Sequence, residues 1–167
     1  VVEGDSVTGA KIAVPDAELA THSVVLVKGT KGPELRLVDL NSDRVEISPQ
    51  KNLDKSRSFY KVAFDNAQSS LLGDQGSGWE SHVHIMDQAA VLFAFEQVGG
   101  SQQALDMAKE YAMERYAFGR QIGSYQAIKH KLADMYVAVT LAKSNCYYGA
   151  WALSSESSEL PLAAATS

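Results

Sequence analysis

Residues 114–136 read ERYAFGRQIGSYQAIKHKLADMY, and the side chains there able to do chemistry are Arg115, Phe118, Arg120 and Gln126. A guanidinium offers paired donors that match phosphate oxygens, a carboxamide both gives and accepts hydrogen bonds, and a benzene ring presents a flat apolar face. Grouped on one loop between rigid supports, they suit a large anionic ligand that carries a flat ring. The bland alternative for Arg115 is a solvated cation at the C-terminal end of a helix dipole, and for Phe118 a place in the core of the hairpin.

Two helices must position this loop. Residues 109–113 and 137–143 extend the pattern outward on either side, so the loop is the hinge of a long helical hairpin. The first helix is predicted over about residues 79–116, with a stretch, 89–95, that is apolar on every side and belongs inside a bundle. Gly99 and Gly100 interrupt it, each costing about 1 kcal/mol against alanine, which predicts close packing by a neighbouring helix or a ligand. The second places Ile128, Leu132, Met135, Tyr136, Val139, Ala142, Cys146, Ala150 and Leu153 at steps of three and four on one buried face. Residues 154–159 end it, and Pro161 stands where a first-turn proline opens the next helix. Met86 and Met135 read as core filling, Trp79 and Trp151 as packing anchors.

The first seventy or so residues are β-type. Residues 1–10 pivot on Gly4, Asp5 and Gly9 as a hairpin, and residues 11–14, 23–28, 34–40, 45–48 and 58–64 are rich in Val, Ile, Leu, Phe or Tyr. Short intervals with Gly29, Gly32, Pro33, Asn41 and Pro49 separate them, without intervening helices. The fold class is therefore α+β: an antiparallel β-barrel or sandwich over residues 1–76, then an up-down α-helical bundle segment over 77–167. The polar, Gly-rich stretch 65–78 reads as the crossing between the two.

Composition narrows the function. At 167 residues and 46% hydrophobic, the chain buries one core, or one small core and one shared core. A net charge of -5 and a pI near 5.3 argue against a nucleic-acid partner. The one cysteine, Cys146, lies in an apolar helical run, which leaves no disulfide framework and points to a reducing compartment. No run of about eighteen apolar residues marks a membrane span. His82 and His84 are two apart on a helix and diverge, and His22 and His130 are scattered, so no metal is expected. The chain starts at Val1 and stops as a helix opens after Pro161, so it is expected to be a piece of a longer protein.

The motif R-x-x-F-G-x-x-I-x-x-x-Q, carried by Arg115, Phe118, Gly119, Ile122 and Gln126, resembles the signature of the acyl-CoA dehydrogenase family, and the order of β-domain, Gly-interrupted helix and hairpin is that family's too. The resemblance implies FAD-dependent α,β-dehydrogenation of an acyl-CoA thioester in a homo- or hetero-tetramer built as a dimer of dimers. An electron-transfer flavoprotein would collect the electrons. It implies that Arg115 and Gln126 hold the diphosphate and adenosine half of the FAD of a neighbouring subunit, that Phe118 packs beside them, and that Asp87 lies near the pantetheine arm of the substrate. The implied location is the cytoplasm of a bacterium, or the mitochondrial matrix in a eukaryote.

The departures from the family matter as much. Ala117 stands where relatives carry a small hydroxyl residue that adds a phosphate contact. Ala13 and Pro15 stand where relatives carry an aromatic residue and then Thr or Ser beside the flavin ring; Asp16 beside them reads as a turn acid. Ala89 and Ala90 occupy the places of a base glutamate and its arginine. Glu96, two turns on, reads as a packing or partner carboxylate, so the catalytic base is unknown and expected downstream. These losses keep a second reading open, a non-catalytic subunit that completes a neighbour's cofactor site in a heteromeric acyl-CoA dehydrogenase.

Overall fold

The computed structural model describes residues 1–167 as two compact units, Val1–Val83 and His84–Ser167. The first is an antiparallel sheet of β1 (Val2–Glu3), β2 (Ser6–Pro15), β3 (His22–Lys28), β4 (Pro33–Asp39), β5 (Val45–Gln50) and β6 (Phe59–Leu72). Strands run in the order β1-β2-β6-β4-β3, with β5 also on β6. The expected antiparallel β-unit followed by helices is therefore present.

β6 is the spine of this unit, because it pairs with β2, β4 and β5 along its 14 residues. Tyr60, Val62 and Phe64 point inward at the strand period of two, and after an extra residue Ala67 resumes the inward face. That extra residue is a bulge at Asp65-Asn66, where Asn66 takes φ 50 and Val7 pairs with Ala67 but Gly9 with Phe64. A second bulge lies on β2, where Lys11 pairs with Val62 but Val14 with Tyr60, and Ala13 takes φ 53. Bulges on facing strands bend the sheet over a core of Val7, Val25, Val38, Tyr60, Val62 and Phe64. The crossing expected over residues 65–78 is shorter: residues up to Leu72 are strand, and α1 starts at Gly78. Their polar side chains line the outer face, and only Ala67 is fully buried among them.

β4 also carries Glu34 and Arg36, which share one face of the strand and are 1% and 4% exposed. The Arg36 guanidinium donates to the Glu34 carboxylate at 2.8 Å and 3.1 Å and to Asp5 at 3.1 Å. Burial opposes its charge, but the hydrogen bonds to Glu34 and Asp5 outweigh that and raise its pKa above the ordinary value.

The helical unit contains α1 (Gly78–Glu114, of which residues from His84 belong here), α2 (Gln126–Ser154) and α3 (Leu160–Thr166). α1 and α2 run antiparallel, with Val91 packed against Ala152, Leu160 and Ala163 at one end. At the other end a Cβ placed on Gly123 would stand 2.9 Å from the Ala112 carbonyl oxygen, so only glycine allows that approach. α2 ends in a Schellman turn: Ser157 N–H donates to the Ala152 carbonyl at 3.0 Å, with Glu156 at φ 50. Pro161 then sits in the first turn of α3, as expected.

Three expectations about packing are corrected. Within residues 89–95 only Val91 and Ala94 are buried, while Leu92 and Phe93 are more than half exposed. Met86, Met135, Tyr136, Trp79 and Trp151 are exposed rather than core. At Gly99 and Gly100 no other element of the chain comes within 4 Å of an added Cβ, so the close packing expected there is not made by this chain itself. The cause is common to all three: two long helices and one short helix bury one stripe of each other, and an all-round apolar helix has more faces than this chain covers.

Candidate functional site

The connection between α1 and α2 is a miniature β-hairpin, β7 (Tyr116–Ala117) against β8 (Arg120–Gln121), followed by a 3-10 turn over Ile122–Ser124. Phe118 and Gly119 form its two-residue loop with φ 52 and φ 80, the pair of left-handed residues that a type I′ turn requires. Glycine adopts this freely, whereas phenylalanine does so at a cost of about 1–2 kcal/mol. Phe118 is nevertheless 97% exposed, so its ring is not hairpin core. A strained, bare aromatic side chain on a turn tip is an outlier that points toward a ligand or a partner surface.

Arg115 directly follows α1. Its amide donates to the Tyr111 carbonyl at 2.9 Å and its carbonyl accepts from Ile122 N–H at 2.8 Å, which fastens the base of the hairpin. The Arg115 side chain is exposed and makes no hydrogen bond or ion pair within the chain. Arg120, by contrast, is engaged, with its guanidinium carbon 4.0 Å from the centroid of the Tyr125 ring. The Tyr125 hydroxyl donates to the Ala117 carbonyl at 2.9 Å. Gln126 is the first residue of α2 and is exposed.

Arg115, Phe118 and Gln126 are thus gathered on one short connector of fixed backbone. Arg115, Arg120, Lys129 and Lys131 carry positive charge there, and no carboxylate occurs from Arg115 through Ala133, in a chain of net charge -5. The arrangement is a projecting basic edge with an aromatic tip, and it can lie across an anionic, flat-ringed group from outside. Those are the properties a flavin dinucleotide asks of its nucleotide-binding half, and the residues present fit it.

Asp87 is not brought to this edge. It is half-buried on α1, 28 residues before Arg115, which at the helical rise is about 40 Å away. One turn from it, a cavity of about 420 Å³ is lined by His84, Gln88, Leu153, Glu156, Leu160 and Pro161, with the His84 and Gln88 side chains 2.9 Å apart. Ala90 is exposed and Glu96 lies on the exposed side of α1. On β2, the backbone N–H of Ala13 is taken by the Gln50 side chain at 2.7 Å.

Residues 76–166 match the model of the acyl-CoA dehydrogenase C-terminal domain, a match that covers more than half of the chain. The chain belongs to the acyl-CoA dehydrogenase family. It is 32% identical over 140 residues to the acyl-CoA dehydrogenase IpdE2 of Mycobacterium tuberculosis, covering 83% of the chain and 40% of that relative. It is 30% identical over 156 residues to CarC, a subunit of the caffeyl-CoA reductase-Etf complex of Acetobacterium woodii, covering 85% of the chain and 40% of that relative. A probable acyl-CoA dehydrogenase from Mycobacterium abscessus superposes with a TM-score of 0.84 at 26% identity, over 99% of this chain and 48% of that one. The chain therefore spans less than half the length of each of these three relatives.

Residue types alone do not show two features of the site. The face of the Arg120 guanidinium rests on the Tyr125 ring, five residues on. The signal for Tyr125 is an aromatic residue directly before the first helical residue, following a G-x-x-x-G loop.

Proposed function

We propose that the complete protein is an FAD-dependent acyl-CoA dehydrogenase that desaturates an acyl-CoA thioester between its α and β carbons, and that this chain supplies the cofactor edge. In this reading Arg115 holds the FAD diphosphate of a neighbouring subunit, Gln126 meets the adenosine half, and Phe118 covers it. When bound, the flavin accepts the hydride that leaves the β carbon. The observation that carries the reading is the bare Phe118 on its left-handed turn beside an unpartnered Arg115. A separation of about 40 Å between Asp87, proposed to border the pantetheine arm, and Arg115 supports assigning the two to different active centres of a dimer of dimers. An electron-transfer flavoprotein as electron acceptor, supported by the similarity to the Etf-complex subunit, and a cytoplasmic location in a bacterium complete the proposal.

The test is flavin retention by the full-length protein. Arg115→Ala is expected to weaken FAD binding by about 1.5–3 kcal/mol, the scale of a hydrogen bond to a charged group, and Arg115→Lys to restore only part of it. Unchanged flavin content in Arg115→Ala would overturn the assignment.

A second reading has its own observation. Ala13 sits in a β-bulge with its N–H already bonded to Gln50, and Pro15 has no N–H, so this stretch of β2 has no side-chain donor or ring to offer a flavin. That favours a subunit that completes a partner's cofactor site without running its own. Flavin at about one per chain in the purified full-length protein supports the enzyme, whereas flavin only in complex with a second gene product supports the completing subunit.

A further inference from the structure

We infer that Tyr125 is the positioning residue of the cofactor edge: one side chain that clasps both strands of the hairpin just behind the turn and ties them to the start of α2. The inference rests on the FAD reading above. Ala117 and Arg120 are the register pair that directly flanks Phe118 and Gly119. Tyr125 engages both members, donating its hydroxyl to the Ala117 carbonyl at 2.9 Å and lying 4.0 Å under the Arg120 guanidinium. Each strand has only two residues, too few to hold a turn with a left-handed phenylalanine unaided.

Tyr125 is also the residue that caps α2, with extended backbone at φ -79 and ψ 134, so the next residue, Gln126, takes its direction from it. The Ser124 hydroxyl donates to the Gln121 carbonyl at 2.6 Å and stiffens the same link. The clasp therefore orients Phe118 and Gln126 together before any ligand arrives, and it seats the face of the Arg120 guanidinium on a ring, a contact that Arg115 lacks. A preorganised edge loses less freedom when it binds.

The experiment compares Tyr125→Phe and Tyr125→Leu with Arg115→Ala in the full-length protein, reading the Kd for FAD by flavin fluorescence, turnover at saturating FAD, and the thermal midpoint of the apoprotein. Tyr125→Phe keeps the ring but loses the hydroxyl, and it is expected to raise the Kd about fivefold. Tyr125→Leu loses both contacts and is expected to raise it further, with turnover at saturating FAD within about twofold of the parent for each. If the Kd stays within twofold in both Tyr125 variants while Arg115→Ala weakens binding, the positioning role is overturned and the FAD site stands. If Arg115→Ala is also without effect, both fall. A lowered apoprotein midpoint with an unmoved Kd shows a merely structural tyrosine and likewise overturns the inference.

Discussion

Arg36 and Glu34 lie two residues apart on one face of β4, and two guanidinium nitrogens of the first converge on a single carboxylate oxygen of the second, at 2.8 Å and 3.1 Å. Both are almost fully buried, so removing Arg36 strands the Glu34 carboxylate, whereas Arg36 would keep its bond to Asp5 if Glu34 were removed. Arg36→Ala is expected to cost about 3–5 kcal/mol in urea unfolding, the penalty of an uncompensated buried charge. The double variant Glu34→Leu with Arg36→Met should recover most of that loss, because no charge then stays in the core. Equal losses in the single and double variants would show that water reaches the pair.

Glycines on α1 and beside it make opposite predictions. Gly123→Ala forces a methyl to within 2.9 Å of the Ala112 carbonyl, which is backbone and cannot turn aside, so a loss of about 1–3 kcal/mol is expected. Gly99→Ala adds a methyl to open space and removes a weak helix former, so a gain of about 0.5–1 kcal/mol is expected. Chemical denaturation of the monomeric chain checks both. A loss at Gly99 confined to a larger assembly would map the approach of another chain.

Cys146 offers a clean probe, being the one cysteine and fully buried on α2. Burial disfavours the thiolate and raises its pKa above the ordinary thiol value. A pKa raised in the folded state means a stabilising contribution that is whole below the unfolded thiol's pKa and is lost as pH rises through the folded one. Iodoacetamide labelling at pH 8 is therefore expected only at the rate of opening, and to accelerate in step with urea unfolding. Rapid labelling of the native chain would mean that the face of α2 carrying Cys146 is open to solvent.

Much of this protein was legible in its residues. The alternation in strands such as His22–Lys28, the helical spacing from Ile128 to Leu153, the stop before Pro161 and the Arg115–Gln126 motif are local patterns, and period and turn chemistry act over a few residues. Tertiary structure decided what depends on partners distant in sequence. It made the polar residues 65–72 strand because β2 and β4 were there to pair with them, and it buried Glu34 because Arg36 stood ready beside it. It also left Leu92, Phe93 and Met135 bare, since a helix's pattern says which faces are apolar and only the neighbours present say which are covered. At the hairpin between α1 and α2 the residue types pointed to an anionic, flat-ringed ligand, but only the fold showed Arg120 held by Tyr125 and Phe118 turned outward. A cation over a ring and a left-handed φ are relations in space, set by a turn of two residues and not by composition.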